Sequence, residues 1–261
     1  MTNFVPVSQA QHAAKGWRRP AGFAHAAAEA VAPLVGAEFG KAATAMPIAF
    51  VAQAGGYQPV ALMSPITGRN LFIGPAGQWL GGYVPASLRA YPFRLARANE
   101  GEQAILCIDE DSGLVADADG ATQSFFDAGG KPSPATKTAL DFLVAIERSR
   151  ISTDLAVAAL ADAGLIQPWL IKVNADGTTR PLNGLFRVEE LALNALSDEA
   201  FLKLRKSSAL PLAYMQLLST GQIALFEQLI RLQDQLAPRQ QRQFSLDEIF
   251  ATAESETIRF D

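Results

Sequence analysis

One change of texture near Gly130 constrains this chain more than any other feature. Before it, short apolar runs alternate with glycine and proline. After it, apolar residues recur at helical spacing. Short bounded apolar runs suit strands, whereas a period of three to four residues suits amphipathic helices. The pattern predicts an α+β protein, with an N-terminal antiparallel β-meander half (1–130) packed with a C-terminal mainly helical half (131–261) that carries an inserted β-hairpin. With 261 residues, the halves can form two modest domains or share one core, at roughly 100–200 residues per domain.

Within the front half the alanine-rich stretch 25–44 reads as a helix, broken or started at Pro33. A strand over 47–51 follows, then a Gly55-Gly56 turn, where glycine supplies the positive φ of a tight hairpin, and a return strand over 57–63. Residues 70–73 form a third strand, and Pro75-Ala76-Gly77 turns it back through 78–80. A bend at Gly81-Gly82 leads to a short helix over 84–91. Strands 93–97 and 103–108 then pair around Asn99-Glu100-Gly101. In the back half, Ser133-Pro134 is an N-cap with proline at the first helical position. The apolar stripe that follows runs to Leu160 and Gly164, as one long helix or two joined near Ser149. A strand over 169–173 turns at Asp176-Gly177 and pairs back through 185–188. Helices over 189–196, 198–206, 210–218 and 222–236 complete the half. Pro238 ends the last of these, and Ser245 with Glu248 forms a capping box for a short final helix.

Composition narrows the function classes. Charged residues make up 18% of the chain and the net charge is −4. A broad electrostatic pull toward nucleic acid or anionic lipid is therefore not expected. The single cysteine, Cys107, excludes an intramolecular disulfide and a multi-cysteine metal site. The opening residues MTNFVPVSQA carry neither a basic segment nor an apolar one of the secretory type. The apolar stretches 23–35 and 138–146 are shorter than the ~20 residues a spanning helix needs. The expectation is a cytoplasmic protein without membrane insertion.

Motifs for known chemistry fail one by one. Asp109-Glu110-Asp111-Ser112-Gly113 contains the D-[ST]-G turn of aspartic proteases, but such an enzyme needs two aspartates sharing a proton and no second turn occurs. The same cluster misplaces its glycines for an EF-hand. Asp109 and Asp111 remain candidate cation ligands, with Asp117-Ala118-Asp119-Gly120 close by; solvated acidic turns are the simpler reading. Gly129-Gly130-Lys131-Pro132-Ser133 lacks the spacing of a phosphate loop. His12 and His25 match no helical ligand spacing, and Cys107 sits mid-strand beside acids rather than in a setting that favours a thiolate. No catalytic residue and no cofactor are assigned. Two basic-aromatic clusters stand out. Lys15-Gly16-Trp17-Arg18-Arg19 could stack on bases, although the acidic balance of the chain argues against nucleic acid. Arg89, Arg94 and Arg97 flank Tyr91-Pro92-Phe93. Together with Trp79, Gly81, Gly82 and Tyr83, the residues Arg89, Tyr91 and Arg94 form a candidate ligand-binding wall for a peptide or carbohydrate. Aromatic packing and tight turns would give the same pattern.

The order and spacing of several segments resemble the SapC family of bacterial proteins. They are Met46-Pro47-Ile48-Ala49-Phe50-Val51, Gly68-Arg69-Asn70-Leu71-Phe72-Ile73, Trp79-Leu80-Gly81-Gly82-Tyr83-Val84-Pro85-Ala86 and Arg89-Ala90-Tyr91-Pro92-Phe93-Arg94-Leu95. The run Leu106-Cys107-Ile108-Asp109-Glu110-Asp111-Ser112-Gly113-Leu114 continues the likeness, as do Gly164-Leu165-Ile166-Gln167-Pro168-Trp169 and Leu210-Pro211-Leu212-Ala213-Tyr214. The resemblance implies a non-enzymatic accessory or binding protein linked to surface-layer or outer-membrane uptake systems, encoded near TonB-dependent receptors. Its partner would be another protein or a second copy of the chain. It supplies no established site residue. The alternative is an enzyme with an acidic and arginine site over 79–113, acting on a small polar or anionic substrate. That alternative requires Asp109, Asp111, Arg89 and Arg94 to converge on one concavity.

Overall fold

The computed structural model describes residues 3–96, 104–175 and 178–236, with 172–175 and 178–181 described by their backbone only. In chain order the strands are β1 (Phe4–Pro6), β2 (Lys15–Trp17), β3 (Val31–Pro33), β4 (Ile48–Gln53), β5 (Gly56–Leu62), β6 (Phe93–Ala96), β7 (Ile105–Asp109), β8 (Val115–Asp117), β9 (Gln123–Ser124), β10 (Ile166–Pro168), β11 (Ile171–Ala175), β12 (Thr178–Leu182) and β13 (Leu185–Val188). The α-helices are α1 (Gln9–His12), α2 (Phe39–Ala42), α3 (Ala86–Arg89), α4 (Pro134–Asp162), α5 (Glu190–Asn194), α6 (Asp198–Lys206), α7 (Ala209–Ser219) and α8 (Leu225–Leu236). The fold is α+β, with antiparallel sheets drawn mainly from the front half and helices from the back.

Local chemistry explains much of this. Gly55 at φ 86° turns β4 into β5, which pair from Ile48↔Ala61 to Gln53↔Gly56. The Ser133 hydroxyl accepts from Thr136 N–H and opens α4, a single 29-residue helix. Gly164, at φ 69°, closes it. Leu165 N–H bonds Leu160 C=O and Gly164 N–H bonds Ala161 C=O, the paired arrangement that satisfies the last carbonyls of a helix. Ser197 caps α6 in the same manner as Ser133.

The structure corrects four expectations. The front strands do not run as one meander; they are distributed over sheets of order β1-β7-β6, β8-β2-β9 and β10-β13-β4-β5-β3. Residues 25–44 are not a helix. Val31–Pro33 forms an edge strand on β5, a position where the missing proline N–H costs no ladder bond. Only short helical turns remain on either side, 24–26, 36–38 and α2. Residues 70–73 and 78–80 are not strands and meet in one bridge, Ile73↔Trp79. The cause is Asn70, whose side-chain oxygen accepts from Phe72 N–H while its amide donates to Ala26 C=O, an alternative to ladder bonding that this residue type offers. Finally, 185–188 does not pair back onto 169–173. β13 lies between β10 and β4, while β11 pairs with β12. The expected turns at Asn99-Glu100-Gly101 and Asp176-Gly177, Arg97 of the second basic-aromatic cluster, and the signals at Pro238, Ser245 and Glu248 lie outside the described residues.

β13 carries the central sheet across the texture boundary, and one side chain completes the join. Leu185 and Phe186 pair with Val51 and Phe50. Continuing that register would bring Val188 opposite Ile48. There the Gln216 amide of α7 takes over, accepting from Val188 N–H and donating to Ile48 C=O. Ser219 accepts from Ile48 N–H. The large core surrounds this join and takes Phe39, Phe50, Phe72, Leu160, Leu165 and Ala213 from both sides of residue 130, each fully buried. A smaller core gathers Trp17, Phe93, Ile108, Phe125 and Leu143 where α4 crosses the two three-stranded sheets. The run Ala209–Leu236 is long and apolar enough, by length and composition, to cross a membrane. In the fold it is divided into α7, a 3-10 turn and α8, with Leu212, Ala213, Phe226 and Leu229 buried in the large core.

Candidate functional site

A cleft of about 390 Å³ opens beside the smaller core. Three remote segments enclose it. The first is β2 with the loop behind it, which supplies Trp17, Arg19 and Phe23. Gly16 lets this strand lie close to its neighbour, since a Cβ there would collide with the Thr122 side chain. The second is α3 and the turn that leads from it into β6, which supply Leu88, Arg89 and Tyr91. The third is the first part of α4, where Thr138, Ala139 and Phe142 face the cleft. Its volume falls in the ~300–1,000 Å³ range of small-molecule sites.

Arg89 is held in place by neutral groups. Its Nε donates to Val84 C=O (3.0 Å) and its Nη2 to the Tyr83 hydroxyl (3.3 Å). The guanidinium lies 5.1 Å from the Phe142 ring centre and 5.7 Å from that of Tyr83, both within cation–π range. Tyr83 in turn donates to Glu38 (2.8 Å). Glu38, only 5% exposed, also accepts from Val35 N–H and from Ala86 N–H at the first turn of α3. One buried carboxylate therefore fixes the helix and the tyrosine that position Arg89. Burial, with Glu38 beside it, pushes the Tyr83 hydroxyl up to about 12. On the other side of the cleft wall, Tyr91 stacks on His25 with ring centres 4.0 Å apart and donates to Asp109 (3.1 Å). Burial lowers the His25 pKa and raises that of Tyr91, the latter helped by Asp109.

The sequence-derived candidates divide accordingly. Arg89 and Tyr91 line the cleft, and Tyr83 supports Arg89 from behind. Trp79 stands one layer back, stacked on Phe72 and in edge contact with Phe23 at 5.5 Å. Gly81 serves packing, because a Cβ there would lie 2.6 Å from the Phe72 ring. Gly82 is exposed. Arg94 turns to another surface and stacks over Phe4 at 3.9 Å. Asp109 is buried and takes Asn3 N–H as well as Tyr91. Asp111 is exposed in the following turn. The four residues of the enzymatic alternative thus do not share a concavity: of them, the cleft lining includes Arg89 alone. Among the described residues, no three His, Cys, Asp or Glu side chains are grouped to hold a metal ion.

Two groups of cleft residues escaped a site assignment from sequence. Trp17 and Arg19 stand out as a basic-aromatic loop, but nothing in the sequence connects them to Arg89. Phe23 and Phe142 give no separate signal, since Phe142 reads as one more apolar residue of the α4 stripe.

Fold and site together define an α+β protein with an aromatic cleft bordered by two arginines. The chain belongs to the SapC family, whose family model matches residues 7–225 and so spans all the cleft-lining segments. No curated protein and no solved structure matches the chain.

Proposed function

We propose that this SapC protein is a non-enzymatic binding protein that takes a small molecule into the cleft between the Trp17–Phe23 segment, α3 and α4. The observation that carries this reading is the cleft itself, an aromatic concavity assembled from three segments far apart in sequence and braced through Glu38. The carboxylates that could act as acids or bases, Asp109 and Glu38, are engaged in structural hydrogen bonds, which favours binding over catalysis. The family resemblance favours an accessory role in surface-layer or outer-membrane uptake systems, and the proposed setting is the cytoplasm, without membrane insertion. Burial of α7 in the large core, with Gln216 bonded to two strands, supports the last point. Exposed Leu155, Leu191 and Leu218 on the helical half offer apolar contact to another protein or a second copy.

The test is purification from the native host followed by mass spectrometry of small molecules released on denaturation, for wild type and for Ala139→Trp, which fills the cleft. A compound stoichiometric with the wild type and absent from the folded Ala139→Trp variant is the expected result. The same compounds at the same occupancy in both proteins would refute binding in the cleft.

A further inference from the structure

We infer that the cleft selects a planar aromatic anion, a one- or two-ring carboxylate or its equivalent. This rests on the binding reading above and adds the chemistry of the ligand. The walls that Trp17, Phe23, Tyr91, Phe93 and Phe142 present are flat, and such surfaces favour a flat apolar body. The charges at the cleft are of one sign. Arg19 and Arg89 both line it, and no Asp or Glu does.

Neither arginine is neutralised by a direct ion pair among the described residues. Arg18, next in sequence to Arg19, is paired with Asp119 at 3.0 Å; Arg19 is exposed and has no such partner. Arg89 meets a carbonyl and a hydroxyl. Glu38 reaches it only through the Tyr83 hydroxyl, which donates to the carboxylate and accepts from the guanidinium. Arg89 is therefore oriented in advance while keeping N–H donors for an incoming acceptor. A guanidinium presents its donors in a plane, which matches a carboxylate. Preorganisation of this kind lowers the entropic cost of binding. A cationic ligand would meet two positive charges that no direct ion pair offsets, and a neutral one would forgo the charge-assisted bonds.

The test is calorimetric titration of the full chain with three probes of equal shape: 2-naphthoate, 2-naphthamide and 2-naphthylmethylammonium. The expected order is naphthoate tightest, by about tenfold over the amide, the scale of one charge-assisted hydrogen bond, with the ammonium weakest. Arg89→Gln should bring naphthoate to within about twofold of the amide. Arg19→Gln, an exposed change with little effect on folding, should narrow the same gap, and thermal melts confirm that each variant is folded. Arg94→Gln, whose side chain lies over Phe4 and away from the cleft, should leave the order intact. If the amide or the ammonium binds as tightly as naphthoate, and all binding disappears in Ala139→Trp, the cleft is a binding site but the inference about charge is wrong. If none of the probes binds, the inference is likewise overturned, and the cleft reading then stands or falls on the native-ligand test above.

Discussion

The strand join inside the large core and the smaller core solve the same problem to different degrees. At the join of β4 and β13 three backbone groups that the strands leave over are taken up: Gln216 bridges Val188 N–H and Ile48 C=O, and Ser219 meets Ile48 N–H. In the smaller core Trp17 is 3% exposed, yet its Nε1 is buried without a hydrogen-bond partner. Buried polar groups in native proteins are satisfied with few exceptions; Trp79 Nε1, at the edge of the large core, is also unpartnered, so the contrast lies between the saturated strand join and the tryptophan-bearing region around the cleft. The cleft opens beside the second. A scaffold closed on one side and a less saturated aromatic cluster on the other is the arrangement expected when the first holds the second in place.

The largest effect should come from Gln216→Leu. It leaves Val188 N–H and Ile48 C=O unpaired at the join, and each unsatisfied buried group costs ~1–3 kcal/mol. Chemical denaturation should show a loss of about 3 kcal/mol; a loss below about 1 kcal/mol would mean that the join does not depend on the bridge. Trp17→Phe removes more side-chain volume, but it also deletes the unpartnered N–H. The packing loss and the relieved desolvation oppose each other, so stability should stay within about 1 kcal/mol of wild type. Should Trp17→Phe prove more costly than Gln216→Leu, the contrast between the join and the smaller core would be reversed.

The distinguishing signature of Tyr83→Phe is pH dependence. The folded hydroxyl ionises at about 12, against an ordinary value near 10. At intermediate pH the folded state thus holds a proton that the unfolded state has released. The stabilisation linked to this proton is complete below pH ~10 and is lost as pH rises through about 12. Unfolding curves across this window should fall more steeply for wild type than for Tyr83→Phe, and parallel curves would show that Tyr83 is not held as described.

Much of the framework was legible in the sequence because it rests on local chemistry. The Gly55-Gly56 hairpin, the Ser133-Pro134 start of α4, its Gly164 stop and the Ser197 cap each depend on a residue whose backbone or side-chain preference acts within a few positions. The errors arose where a distant partner outweighed local preference. Alanine richness over 25–44 suggests helix, but β5 needed an edge neighbour and Val31–Pro33 supplied it. Residues 70–73 have strand character, but Asn70 found partners in Ala26 and Phe72. The candidate site divided in the same way. Arg89 and Tyr91 were recognisable as an arginine and an aromatic in one short run, and they line the cleft. Arg94, in the same run, sits on a strand whose side chains alternate between faces and went to Phe4.

The sequence by itself determined the α+β class, most helix boundaries and the stock of aromatic and arginine side chains from which a site could be made. These follow from periodicity, capping and composition, which are properties of neighbouring residues. Only the tertiary structure decided that β13 crosses the Gly130 boundary to join β4, that Glu38 reaches Tyr83 and Ala86, and that Trp17, Arg89 and Phe142 enclose one cleft. Those contacts join residues tens to more than a hundred positions apart. Whether they form depends on how all the elements pack together, and no local preference encodes that.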